Sequence, residues 1–118
     1  MNQMNQIIFE GTVVNDPEVK QSASGTYVST ITAANERYYK TSDGETVKEV
    51  AYFDIEAYGE QFANMCEQKA KKGTEIRVVG RLKQSKWTNG EGKKCSKVYI
   101  IAEHIDFMET NKEEEKCL

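Results

Sequence analysis

The stretch VKEVAYFDIEAYGEQFANMCEQKAKKGTEIRVVGRLK, residues 47–83, changes its hydrophobic period twice. From Val47 to Tyr58 the period is two: Phe53, Ile55 and Ala57 interleave with Tyr52, Asp54, Glu56 and Tyr58. That is a strand with a core face and an open face. Gly59 ends it. Phe62, Met65, Cys66, Lys69 and Ala70 then fall at helical spacing and predict one amphipathic helix over Glu60–Lys72. Gly73 is placed as a C-cap, with Lys69, Lys71 and Lys72 at the negative helix end. Beyond it Ile76, Val78, Gly80 and Leu82 face one way and Arg77, Val79, Arg81 and Lys83 the other.

Working outward, Gln6–Val14 is β-branched and apolar and is closed by the turn signal Asn15-Asp16-Pro17. Ser24-Gly25 opens a second strand, Thr26–Asn35. Thr41-Ser42-Asp43-Gly44 is a turn, which leaves Tyr38 and Tyr39 on a loop. Downstream, Asn89-Gly90-Glu91-Gly92 marks a hairpin tip and Lys97–Phe107 a fifth strand. Three strands, one helix and two strands predict an all-β fold with one helix. The arrangement is that of the five-stranded OB-fold Greek-key barrel, with its helix between strands three and four. A five-stranded sandwich with an appended helix is the alternative. Residues 1–108 read as this one domain and 109–118 as a short polar acidic tail.

A chain of 118 residues, 38% hydrophobic and 30% charged, matches one globular domain. Its longest apolar run, Val98–Ala102, is too short to span a bilayer, and Met1–Gln6 lacks a secretory pattern. Cys66, Cys95 and Cys117 have no pair spacing and His104 stands alone, which argues against disulfides, a metal site or a cofactor. Together these features predict a cytoplasmic protein. The net charge of −3 hides a segregation: Lys69–Lys97 holds ten basic residues and two acids, a local charge of +8, leaving −11 elsewhere.

No Ser/His or Cys/His pair is available for catalysis, and Asn89–Lys94 lacks the spacing of a phosphate-binding P-loop. Asp54 and Glu56 form a carboxylate pair with no third ligand. The aromatics are more informative. Trp87 is flanked by Lys83, Lys86, Lys93 and Lys94, and Tyr38, Tyr39, Tyr52 and Tyr58 fall at loop or open-face positions. Flat rings beside lysine and arginine suit unpaired bases and their phosphates. Arg77, Arg81 and Lys72 extend the basic strip.

In this order the residues resemble the bacterial single-stranded DNA-binding protein family from Gln6 to Met108. The signposts are Phe9-Glu10-Gly11, Asp16-Pro17-Glu18, Ser24-Gly25, Tyr58-Gly59, Phe62-Ala63, Lys71-Lys72-Gly73, Gly80-Arg81-Leu82, Lys86-Trp87-Thr88 and Ile105-Asp106-Phe107-Met108. The resemblance implies a non-enzymatic OB-fold that assembles as a homotetramer and wraps single-stranded DNA in replication, recombination or repair. It also implies base-stacking at Trp87, Tyr58, Tyr52 and the Tyr38-Tyr39 pair. Two departures stand out. The chain stops at Glu113-Glu114-Glu115-Lys116-Cys117-Leu118 without the family's acidic Pro-Phe tip, so recruitment of replication or repair proteins is not implied. Asp54 and Glu56 put carboxylates on the expected DNA face. Such a short form fits a phage- or mobile-element-encoded relative as well as a housekeeping protein. A protein–protein adaptor or replication-restart accessory, its aromatics filling an interface, is the alternative.

Overall fold

The computed structural model describes residues 2–108. The elements run β1 (Ile7–Val13), β2 (Glu18–Gln21), β3 (Tyr27–Lys40), β4 (Thr46–Tyr58), α1 (Glu60–Lys69), β5 (Glu75–Thr88) and β6 (Lys94–Met108). The strands lie in the order β1-β5-β6-β4-β3-β2, and β1 also pairs with β3. That second pairing closes five strands into a barrel. It is made as β1 leaves β5 near Gly11 and Thr12 and its last residues, Thr12 and Val13, lie against Ala34 and Ala33. The β4–β6 contact is parallel, Ile55 against Ile100 and Glu56 against Ile101, and the other pairings are antiparallel. The five-stranded barrel with one helix, expected from the alternation of periods, is the fold.

The core is built from the inward half of each strand. Ile31, Ala33, Ile55, Ala57, Ile76, Val78 and Ile100 are fully buried, with Phe9 and Val13 from β1. Phe9 and Phe53 meet edge to face with ring centroids 5.6 Å apart. Helix α1 closes the barrel with Ala63 and Cys66, and Ala70 is buried as its C-cap. Burial pushes the Cys66 thiol up to about 11, so it behaves as a small hydrophobe.

Gly80 sits where β5 turns out of the barrel. Its partner strand carries one extra residue there: Val79 faces His104 while Gly80 faces Ala102, which leaves Glu103 as a bulge. A Cβ on Gly80 would lie 2.0 Å from the Ile101 carbonyl oxygen, so only glycine permits this approach.

Three expectations need correction, and one residue of the β5 alternation is exposed. The helix ends at Lys69, not Lys72, and its C-cap is Ala70, not Gly73, because Ala70 already leaves helical geometry while its N–H still reaches the Cys66 carbonyl. Tyr38 and Tyr39 are strand residues, since β3 and β4 continue as a paired ribbon to Lys40 and Thr46. Leu82 is 40% exposed although Ile100 opposite it is buried, because β1 pairs with β5 only as far as Gly80 and no strand flanks Leu82 on that side. A short strand, β2, was not expected; it pairs with β3 at the sheet edge. The acidic tail read over 109–118, with Cys117, lies outside the described residues.

Candidate nucleic-acid interface

Opposed residues of neighbouring strands share a face, so the register fixes which side chains gather. On β4 the outer face carries Tyr52, Asp54, Glu56 and Tyr58. Against them on β3 stand Ala34, Thr32, Thr30 and Val28. Ile101 of β6 flanks Glu56, and on β5 Arg81 faces Ile101, Lys83 faces Tyr99 and Trp87 faces Cys95. One continuous outer surface therefore holds Tyr52, Tyr58, Arg81, Lys83, Tyr99, Lys97 and Trp87. Tyr38 lies farther along the same face of the β3–β4 ribbon, opposite Lys48; Tyr39, opposite Val47, alternates to the other face. Tyr38, Tyr39, Tyr52, Tyr58 and Trp87 are all exposed. An aromatic ring without a core to fill offers its surface to something else.

Trp87 sits on a ribbon formed by β5 and β6 beyond the barrel. With Gln84, Lys86, Thr88, Lys94, Cys95 and Ser96 it lines an open cleft of about 310 Å³. Lys93 stands at the tip of this ribbon, where its N–H and that of Glu91 both donate to Asn89 Oδ1 at 3.0 Å. The ribbon's root is clasped by Asn5. The Asn5 side chain donates to the Leu82 carbonyl at 2.8 Å and accepts from the Leu82 N–H at 3.0 Å, continuing the β1–β5 ladder by one side chain.

Not every residue of the basic strip reaches this surface freely. Arg77, ten residues before Trp87 and so about 33 Å away along the strand, donates from Nε and Nη2 to Glu10 Oε2 at 3.1 and 2.9 Å. Lys72 is exposed in the turn after α1, where its backbone N–H donates to Asp16 Oδ1 at 3.0 Å. Trp87, Lys86 and Lys94 are brought together; Arg81 and Lys83 share the face; Arg77 and Lys72 stand toward the far end of the barrel.

The carboxylates between the tyrosines differ in their surroundings. Asp54 is three-quarters buried and bonded to the Lys97 ammonium, and it accepts the Thr32 hydroxyl at 2.7 Å. Burial opposes its ionisation, but Lys97 and Thr32 together outweigh that and hold the carboxyl below its ordinary value. Glu56 accepts the Tyr58 hydroxyl at 2.6 Å. That hydrogen bond, with burial second, pushes the Tyr58 phenol up to about 12. The ring is thereby tethered at its hydroxyl end with a face open to solvent.

Two participants escaped the sequence reading. Tyr99 is half-buried on the outer surface opposite Lys83, near enough to Tyr58 to perturb its phenol. The alternation Lys97, Tyr99, Ile101 was the available signal. The Lys97–Asp54 pair joins β6 to β4 across a parallel contact, and no spacing within one strand announces it.

The chain matches the single-strand binding protein family over residues 4–108. It is similar to a single-stranded DNA-binding protein of Aquifex aeolicus, 41% identical over 102 residues, or 86% of this chain and 68% of that one. A Wolinella succinogenes protein of the same description is 32% identical over 90% of this chain and 65% of its own length. The chain thus spans about two thirds of the length of these relatives. Among solved structures, the chain superposes on a Plasmodium falciparum SSB in complex with ssDNA. The TM-score is 0.84 at 20% identity, covering 92% of this chain and 98% of that one, which is a likeness of fold. It also superposes on a single-stranded DNA binding protein from Thermus aquaticus with TM-score 0.78 and 28% identity, over 90% of this chain and 51% of that one.

Proposed function

The chain belongs to the single-strand binding protein family, and we propose that it holds single-stranded DNA, largely without regard to sequence, on the outer surface of β4, β6 and β5. Membership implies single-stranded DNA binding in DNA metabolism, a non-catalytic task. The mechanism is stacking of bases on Trp87, Tyr58, Tyr52 and Tyr38, with Tyr39 offering its ring on the reverse face of the β3–β4 ribbon, and with phosphates neutralised by Arg81, Lys83, Lys86, Lys93 and Lys94. Arg77 and Lys72 prolong the basic path toward the far end of the barrel. The observation that carries this reading is the half-exposed Trp87 in an open cleft with Lys86 and Lys94.

Residues 1–108 are the binding domain in this reading, and the acidic 109–118 lies outside it. The chain acts in the cytoplasm as a homotetramer that shields unpaired DNA in replication, recombination or repair. Among the described residues no helix is long and apolar enough to cross a membrane.

Trp87 is the only tryptophan, so its fluorescence reports the site directly. Adding an unstructured single-stranded oligonucleotide should quench it, with an apparent affinity that falls as salt rises. An adaptor whose aromatics fill a protein interface would show no quenching, and that result would refute the proposal. Sedimentation of the free protein checks the tetramer.

A further inference from the structure

Glu56, between Tyr52 and Tyr58, is a carboxylate without a paired cation among the described residues. Its neighbours on the same side of the sheet are accounted for: Glu36 is paired with Lys48 at 3.2 Å, Asp54 with Lys97, and Glu18 at the sheet edge with Lys20 at 3.7 Å. Glu56 has no ion pair among the described residues. Arg81, in the same cross-strand row beyond Ile101, is not within ion-pair distance. One oxygen of Glu56 accepts the Tyr58 hydroxyl, and Oε2 accepts no hydrogen bond from the described residues. The group is half-buried, it lies two residues from Tyr58 and four from Tyr52, and both rings are exposed.

A free carboxylate in the middle of a surface built for phosphate is a liability unless a hydrogen-bond donor comes to it. On the reading above, bases stacked on Tyr58 and Tyr52 bring their edges past this position. Carboxylates accept from the exocyclic amino group of cytosine, and adenine presents one too. Thymine instead presents carbonyl oxygens, which a carboxylate repels. We propose that Glu56 is a specificity-determining residue, which biases an otherwise tolerant surface toward bases bearing an exocyclic amino group and against thymine. The Tyr58 hydroxyl occupies one carboxylate oxygen and so fixes the other toward the base edge. The inference rests on the single-strand reading, since it needs a base on Tyr58.

The full chain is titrated at one salt concentration and mildly alkaline pH with deoxycytidine and thymidine homopolymers of equal length, following Trp87 fluorescence. The deoxycytidine polymer should bind about tenfold more tightly, low in the range for a side chain reading a base edge. Glu56→Gln should remove most of that ratio, chiefly by tightening thymidine, because an amide can donate to the thymine carbonyl. Asp54→Asn should leave the ratio unchanged, its carboxylate being already committed to Lys97. Where Glu56→Gln does not fold, Tyr58→Phe is the test: it keeps the ring, releases the carboxylate from its fixed orientation and should narrow the ratio. Equal affinities in the unaltered protein, a thymidine preference, or a folded Glu56→Gln variant that tightens both polymers equally would each overturn the inference while leaving single-strand binding intact. Binding of neither polymer would overturn the single-strand reading and this inference with it.

Discussion

Two β-ribbons rise from the same barrel, the ends of β3 and β4 and the ends of β5 and β6, and their tips are built alike. In the first, Thr41 N–H donates to the Glu45 carbonyl at 2.9 Å and Gly44 N–H to the Thr41 carbonyl at 3.0 Å. In the second, Asn89 and Lys93, then Gly92 and Asn89, make the same two bonds at 2.9 and 3.0 Å. Gly44 and Gly92 take φ of 84° and 81°, the left-handed geometry such a tip requires. Their charges differ. Residues 36–50 hold Arg37, Lys40 and Lys48 against Glu36, Asp43, Glu45 and Glu49, whereas 83–98 hold five lysines against Glu91 alone. The backbone supplies two equivalent arms, and the side chains make one of them suited to a polyanion. Fold and binding role are thus separable in this molecule.

The largest effect is expected where the basic arm leaves the barrel. Gly80→Ala drives a methyl into the Ile101 carbonyl and should cost about 3 kcal/mol of stability, the upper part of the range for overpacking, in urea denaturation. A variant of unaltered stability would show that the bulge at Glu103 yields easily and that the arm's root is soft.

The comparison of arms is tested most directly by their aromatics. Trp87→Ala should weaken single-strand binding by about 1–3 kcal/mol, the loss usual for a base–aromatic stack, with the fold retained. Tyr38→Ala and Tyr39→Ala, on the arm without excess positive charge, should each cost less. Equal losses on both arms would mean that exposed rings suffice and that the lysines do not select the site. Salt dependence separates the arms again. On a single strand the log–log slope changes by about 0.7 per phosphate neutralised, so Arg81→Ala with Lys83→Ala should flatten it by about 1.4. Lys40→Ala with Lys48→Ala should leave it nearly unchanged.

The barrel was legible because its strands have a buried side. Phe53, Ile55 and Ala57, then Ile76 and Val78, alternate as a core face must, and Phe62 to Ala70 follow a helix. The arms were harder to read because both their faces meet water. Tyr38 and Tyr39 passed for a loop, and Leu82 keeps the alternation that buries Val78 although β1 no longer flanks β5 there. Strand β2 is four residues at an edge, Glu-Val-Lys-Gln, with a single partly buried side chain and so little pattern. Exposed aromatics and clustered lysines could be picked out from the sequence, since each is a property of its own segment. Contacts between distant strands could not. The Lys97–Asp54 pair depends on a parallel β4–β6 register that no local pattern encodes, and it alters the meaning of Asp54: a carboxylate that looked repulsive to phosphate is already neutralised.

That neutralisation gives the smallest and most discriminating prediction. Lys97 belongs to the basic arm by sequence, but Asp54 takes it out of phosphate binding. Asp54→Asn keeps the side chain's shape and the Thr32 contact while releasing the ammonium, so it should tighten single-strand binding modestly and steepen the salt slope by at most about 0.7, one phosphate's worth. The same substitution has a pH signature. A carboxyl held below its ordinary value adds stability above about pH 4, and that stability is lost as pH falls through the lower folded value. The unaltered protein should therefore lose stability faster than Asp54→Asn as pH falls below about 4, while above that range the substitution should cost a constant amount. Denaturation midpoints measured across that range check it. Parallel curves for the two proteins would mean that Asp54 and Lys97 are not coupled in solution, and the basic arm would then count Lys97 among its free charges.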